Sequence, residues 1–226
     1  MILMKPNFWQ TKNFISLLLF PLTLITFSIN FLKKFNIKNH FKIKIICIGN
    51  LSVGGTGKTT LAVELKELLS TKFKTVFIKK KYSNQKDEYN LLKKRGKIIS
   101  SENRIVALKN AETNFDLAIL DDGLQQKNIK YDLKIVCINS YDGFGNNFLL
   151  PAGPLRENSN ELKNYDIVFL NGFKKNQKLK NKIKKINNNL KIFDAIYEPT
   201  NLKKYNLKNK FLFFCGIGNP HEFENT

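Results

Sequence analysis

Lys58 and Thr59 are the residues in this chain best placed for phosphate chemistry, because Gly54, Gly55 and Gly57 come just before them. Closely spaced glycines let successive backbone N–H groups turn toward one anion, and a following helix N-terminus adds its dipole. A lysine at that point reaches the outer phosphates of a nucleotide, and a threonine hydroxyl is a hard oxygen ligand for Mg²⁺. The candidates for holding nucleotide phosphates are therefore Ser52, Val53, Gly54, Gly55, Thr56, Gly57, Lys58 and Thr59. The usual GxxxxGK[ST] pattern wants glycine where this chain has Ser52, so the strict pattern fails. The GGTGKT core still marks a nucleotide site, provided that it joins a strand to a helix.

The flanking sequence supplies both elements. Ile43, Ile45, Ile46, Cys47 and Ile48 form a short apolar, mostly β-branched run, read as a buried strand ending at Gly49. After Lys58, the residues Leu61, Leu65, Leu68 and Leu69 recur on one helical face. Further strands are expected at 75–78, 98–99, 115–120, 134–138, 167–170, 192–196 and 211–215. Helices are expected around Leu91–Leu92, over 104–111 and over 174–189. Strands alternating with helices imply an α/β fold of P-loop NTPase type, with a mainly parallel sheet and helices on both faces. The stretch from Asp142 to Glu157 is a long loop rich in Gly and Pro, which points to function rather than simple connection.

A phosphate loop needs a carboxylate partner for Mg²⁺, and the apolar strand ending AILDD supplies Asp121 and Asp122. Adjacent residues on an extended strand face opposite ways. One carboxylate can then approach the metal while the other orients a loop or a water; the plain alternative is an Asp-Asp-Gly turn.

Thirty-eight Lys and Arg stand against eighteen Asp and Glu, a net charge of +20. That balance suits anionic partners such as phosphorylated substrates or an anionic membrane surface. The abundance of Lys, Asn, Ile and Phe is also what an AT-rich genome produces. The lysines are spread out rather than interleaved with aromatics, so no nucleic-acid partner is expected. Cys47, Cys137 and Cys215 lack CxxC spacing and read as reduced core thiols; His40 and His221 are the only histidines, so no His–Cys metal cluster is expected.

Phe14 to Leu32 carries no charge. As one helix it would span about 28 Å, close to the ~30 Å of a hydrocarbon core. Pro21, Asn30 and several hydroxyls weigh against spanning, and a helix lying in the interface is the alternative. Residues 1–40 are accordingly expected to form a hydrophobic membrane helix with a basic flank, and 41–226 a kinase-like core. The lysines after the helix, Lys33, Lys34, Lys38, Lys42 and Lys44, outnumber Lys5 and Lys12 before it, which places the core in the cytoplasm.

Three segments in this order, GNLSVGGTGKT at 49–59, LDDGLQ at 120–125 and LPAGPLRE at 150–157, resemble the tetraacyldisaccharide 4′-kinases of lipid A synthesis. PNFW at 6–9 and CGIGNP at 215–220 fit the same family. The resemblance implies transfer of the ATP γ-phosphate, with Mg²⁺, to the 4′-hydroxyl of a tetraacylated glucosamine disaccharide 1-phosphate. The implied partners are that acylated lipid and the inner-membrane surface, at its cytoplasmic face. It also matches the family's Gly-Asp-Glu segment to Lys86-Asp87-Glu88, making Asp87 the group that receives or orients the acceptor hydroxyl and Glu88 its support. Arg156 would face phosphate, Lys58 would assist transfer, and Glu157 would assist either Thr59, Asp121 and Asp122 at the metal or the substrate; the plain alternative is a surface ion pair between Arg156 and Glu157.

Three departures stand out. Lys79-Lys80-Lys81-Tyr82 replaces the family's Ser-Arg-Gly-Tyr, and Gln126 stands where the family often has His. Family members also continue well beyond Pro220, so an inactive, truncated nucleotide binder is one alternative. A partition-type ATPase is another, but such proteins carry a lysine where this chain has Val53.

Overall fold

The computed structural model describes residues 5–81 and 86–196, together with Asn206, Lys210 and Leu212. The expected CGIGNP segment, and the 211–215 strand apart from Leu212, lie outside the described residues.

Seven strands form one parallel sheet: β1 (Lys44–Asn50), β2 (Thr75–Lys80), β3 (Ile98–Ser101), β4 (Leu117–Asp121), β5 (Leu133–Asn139), β6 (Ile167–Gly172) and β7 (Lys191–Ile196). Their spatial order is β3-β2-β4-β1-β5-β6-β7 and every pairing is parallel. A parallel sheet must be covered on both faces, which is why β4 is apolar up to Asp121, β1 is mostly apolar and β2 is apolar from Val76 to Ile78. On one face Ile48, Phe77, Ile119 and Ile135 pack against Leu61 and Ala62 of α3 (Lys58–Leu69) and Leu92 of α4 (Lys86–Arg95). On the other, Val76, Ile78, Leu120 and Val136 pack with Leu108 of α5 (Arg104–Ala111) and Ile183 of α6 (Gln177–Ile186). The expected α/β architecture is therefore present.

Two boundaries shift for local reasons. The helix expected over 174–189 contracts to α6, where the Asn176 side chain accepts from the Leu179 amide and caps the first turn. Around Leu91–Leu92 the helix is longer than expected. It begins at Lys86 and carries Asp87 and Glu88 in its first turn, where the helix dipole favours acids.

The single N-terminal helix is corrected. Residues 14–32 divide into α1 (Phe14–Leu18), a 3-10 turn at Phe20–Leu22 and α2 (Thr23–Leu32). Pro21 lies in the break: it has no N–H to donate, and its ring blocks the carbonyl four residues earlier. Among the described residues, no helix is long and apolar enough to cross a membrane. The pair is also inside out. Ser16 and Thr23 are buried, Thr26 Oγ1 donates to the Leu150 carbonyl at 2.8 Å, and Asn30 Nδ2 donates to the Arg156 carbonyl at 2.7 Å. Meanwhile Phe14, Leu18, Leu24, Ile25, Phe31 and Leu32 are at least half exposed.

Candidate active site

The phosphate loop lies between β1 and α3, as the sequence requires. Gly57 has φ +73° and Gly54 φ +120°, conformations closed to residues with a Cβ without strain. A Cβ on Gly54 would also meet the Lys5 side chain at 2.3 Å. The loop is braced from outside. The Asn171 side chain donates to the Thr56 carbonyl at 2.6 Å and Asn50 to the Ser52 carbonyl at 2.6 Å. The long loop brackets its entry: Val53 N–H donates to the Pro154 carbonyl at 2.9 Å, and Arg156 N–H to the Leu51 carbonyl at 2.7 Å. The cradle is therefore held open by contacts far apart in sequence.

The two aspartates separate, but through a left-handed turn at Asp122 (φ +60°) after β4 rather than through the expected strand alternation. Asp121 ends β4 and is 1% exposed; its Oδ2 accepts from Thr59 Oγ1 at 3.2 Å and from Lys79 Nζ at 2.9 Å. Its other oxygen, Oδ1, is buried without a hydrogen-bond partner among the described residues, and so is Thr56 Oγ1. Buried polar atoms are rarely left unpaired, and an unpaired carboxylate oxygen beside a threonine hydroxyl suits a hard divalent cation. Thr59 and Asp121 therefore fit Mg²⁺. Among the described residues no three His, Cys, Asp or Glu side chains form a metal cage. Mg²⁺ bound with nucleotide phosphates needs only one or two carboxylates.

Asp122 leaves the strand with φ +60° and turns to the cations. Arg156 Nη1 lies 2.9 and 3.1 Å from its two oxygens, and Lys58 Nζ is 4.0 Å away. Burial by itself would raise the Asp122 pKa, but Lys58, Arg156 and Arg104 outweigh it and hold the carboxyl below the ordinary range. Arg104 also donates to the Asp122 carbonyl at 2.8 Å and to Gln126 at 3.2 Å. A cleft of about 450 Å³ opens beside this group, walled by Lys33, Arg104, Asp122, Gln125, Gln126 and Arg156 among others.

Glu157 is not gathered with Thr59 and Asp121. It is 2% exposed, pairs with Lys127 at 2.6 Å, and accepts from Tyr165 at 2.9 Å and from Gln125 at 3.3 Å. Gln125 in turn donates to the Asn50 carbonyl at the end of β1. Glu157 thus ties the long loop to the end of β1. Asp87 stands exposed in the first turn of α4, and Glu88 accepts from Lys79 at 2.5 Å.

Sequence reasoning passed over Lys79, Arg104 and Lys127. Arg104 carried one signal, as one of three arginines in a lysine-rich chain. Lys79 carried none, because only the sheet order sets its strand β2 next to the aspartate strand β4. Burial lowers the Lys79 pKa, but the carboxylates of Asp121 and Glu88 more than reverse this and leave it raised.

The tetraacyldisaccharide-1-P 4′-kinase family profile matches residues 15–226. A tetraacyldisaccharide 4′-kinase of Pelagibacter ubique (strain HTCC1062) is 46% identical over 228 residues, covering 99% of this chain and 73% of that one. Another, from Rickettsia akari (strain Hartford), is 36% identical over 245 residues, covering 99% and 74%. Among solved structures, LpxK from Aquifex aeolicus in complex with ATP matches with TM-score 0.62 at 27% identity, covering 69% of this chain and 58% of that one. The hydrogenase maturation factor HypB of Archaeoglobus fulgidus, at TM-score 0.51 and 14% identity, covers 90% of this chain and 92% of its own and shares the fold alone. The chain belongs to the tetraacyldisaccharide-1-P 4′-kinase family.

Proposed function

We propose that the chain transfers the γ-phosphate of ATP to the 4′-hydroxyl of a tetraacylated glucosamine disaccharide 1-phosphate, a step of lipid A biosynthesis. One observation carries this reading in a chain of that family. The unpaired Asp121 Oδ1 sits with Thr59 at the mouth of a glycine cradle that opens α3.

In this reading the backbone of Ser52–Gly57 and the α3 N-terminus hold the phosphates, and Lys58 reaches the outer ones. Thr59 and Asp121 would hold Mg²⁺, which would supply charge neutralisation for the nucleotide phosphates. Asp122 keeps Lys58 and Arg156 aimed at the same point, and Arg156 offers its guanidinium to the transferring group. Asp87 accepts the hydrogen bond of the incoming hydroxyl, with Glu88 behind it. Catalysis of this kind is positioning and charge compensation, and little covalent chemistry falls to the protein.

The acceptor's acyl chains point to the inner membrane, with the core on the cytoplasmic side. The support is the outward apolar face of α1 and α2, which suits a helix pair lying in the interface, together with the lysines that follow it.

The test is transfer of labelled γ-phosphate from ATP to tetraacyldisaccharide 1-phosphate in detergent micelles. The full chain should transfer only with Mg²⁺ present, and Lys58→Ala should lose at least ~10³-fold in rate. Transfer by Lys58→Ala at the parent rate would overturn the phosphate-loop assignment. No transfer by the full chain would overturn the proposed activity.

A further inference from the structure

Lys79 is a lysine where a surface residue is not expected: near the end of β2, with its side chain 4% exposed. The parallel register sets Phe77 beside Ile119 and Ile78 beside Leu120, so one further step sets Lys79 beside Asp121. Strand alternation turns both onto the sheet face that α3 and α4 cover. There Nζ meets Asp121 Oδ2 at 2.9 Å and Glu88 Oε2 at 2.5 Å. A buried ammonium is tolerated only with such partners, and losing one partner leaves uncompensated charge.

The second observation is how α4 is held. Of its described side chains only Leu92 is buried; Asp87, Glu88, Asn90, Leu91, Lys93 and Lys94 are exposed. Glu88 and Leu92 are four residues apart, hence on one face of the helix. Leu92 anchors that face in the core and Lys79 anchors it at the first turn. Two anchors on one stripe fix the rotation of the helix about its axis, and with it the direction of Asp87.

We infer that Lys79 is a positioning residue. Its ammonium straps the metal-side carboxylate Asp121 to the acceptor-side helix α4, and so orders Asp87 against the phosphate site. The inference rests on the reading of Asp87 given above for its consequence, though not for the strap itself.

The test uses the full chain with Lys79→Met, Lys79→Arg, Glu88→Gln and the Lys79→Met/Glu88→Gln double variant. It reads amide hydrogen exchange over 86–95 together with kcat and the KM for ATP. Lys79→Met and Glu88→Gln should each raise exchange over 86–95 by about fivefold or more, with β1 unchanged. Each should lower kcat about tenfold with the ATP KM within about twofold, and the double variant should lose no more than Lys79→Met. Lys79→Arg should recover most of both readouts. Additive losses, unchanged exchange in α4, or exchange raised equally through the sheet would overturn the strap. If Lys79→Met does not fold, Glu88→Gln decides, since that carboxylate is half exposed: unchanged exchange and kcat would overturn the inference. Asp87→Ala separates the two ideas. Parent-level transfer in that variant, with α4 exchange still coupled to Lys79, would sink the acceptor reading and leave the strap standing.

Discussion

On the proposed assignment, the donor side and the acceptor side of this molecule are built on opposite plans. On the donor side, β1, β4 and α3 turn apolar residues inward: Ile48, Ile119 and Ala62 are fully buried, and the polar groups that matter emerge at the strand ends. On the acceptor side, α1 and α2 turn Ser16, Thr23, Thr26 and Asn30 inward and phenylalanine, leucine and isoleucine outward. α6 shows the ordinary arrangement at the same length as α2, with Leu179 and Ile183 buried. A helix pair whose polar stripe packs on protein is made for surroundings less polar than water. In the function proposed above, the glycine cradle serves the nucleotide, and the outward apolar face of α1 and α2 is the surface that would meet lipid. The two meet in the long loop: Asn30 holds the Arg156 carbonyl, and the Arg156 amide holds β1's end through Leu51.

Separating the two sides experimentally gives the sharpest comparison. Phe27 and Phe31 stack on the outward face of α2, about half exposed, so changing them leaves the fold intact. The Phe27→Asn/Phe31→Asn variant should bind phospholipid vesicles roughly 10–100-fold more weakly, with ATP affinity unchanged. Parent-like vesicle binding would show that the outward face does not meet lipid, and a parallel loss of ATP binding would merge the two sides.

A smaller effect tests the donor side alone. The Asp122 carboxyl titrates below its ordinary range when folded, so its pairing stabilises the fold at pH above the unfolded value of about 3.9 and is lost as pH falls through the folded value. The difference in melting temperature between the parent and Asp122→Asn should therefore be constant near neutrality and shrink between about pH 5 and pH 2. A difference that stays the same through that acid range would remove the Lys58 and Arg156 pairing from the account.

What was legible in the sequence follows from range along the chain. β1, the glycine cradle and α3 are contiguous, and their types dictate them: β-branched residues, then glycines, then a helix, although α3 buries Leu61, Ala62 and Val63 and leaves Leu68 of the expected leucine face exposed. That Asp121 and Asp122 part company was expected from strand alternation, but a left-handed turn at Asp122, after the strand has ended, is what parts them. α1 and α2 were misread because a charge-free run looks like one helix. Pro21 breaks it, and two of the polar groups that weigh against spanning, the Thr26 hydroxyl and the Asn30 amide, dock on the loop at Leu150 and Arg156. Lys79 was illegible because its neighbour Asp121 lies forty-two residues away and only the β2–β4 register brings them together. Glu157 was expected at the metal or the substrate; its burial against Lys127 and Tyr165 depends on contacts that no local pattern announces.

The most direct test of the division between donor and acceptor sides is Asp87→Ala, with ATP affinity and γ-phosphate transfer to tetraacyldisaccharide 1-phosphate measured on one preparation. The account predicts ATP affinity within about twofold of the parent and transfer reduced by roughly 10²-fold or more. Transfer at the parent rate would contradict it, because the acceptor hydroxyl would then be handled by a group other than the carboxylate at the head of α4.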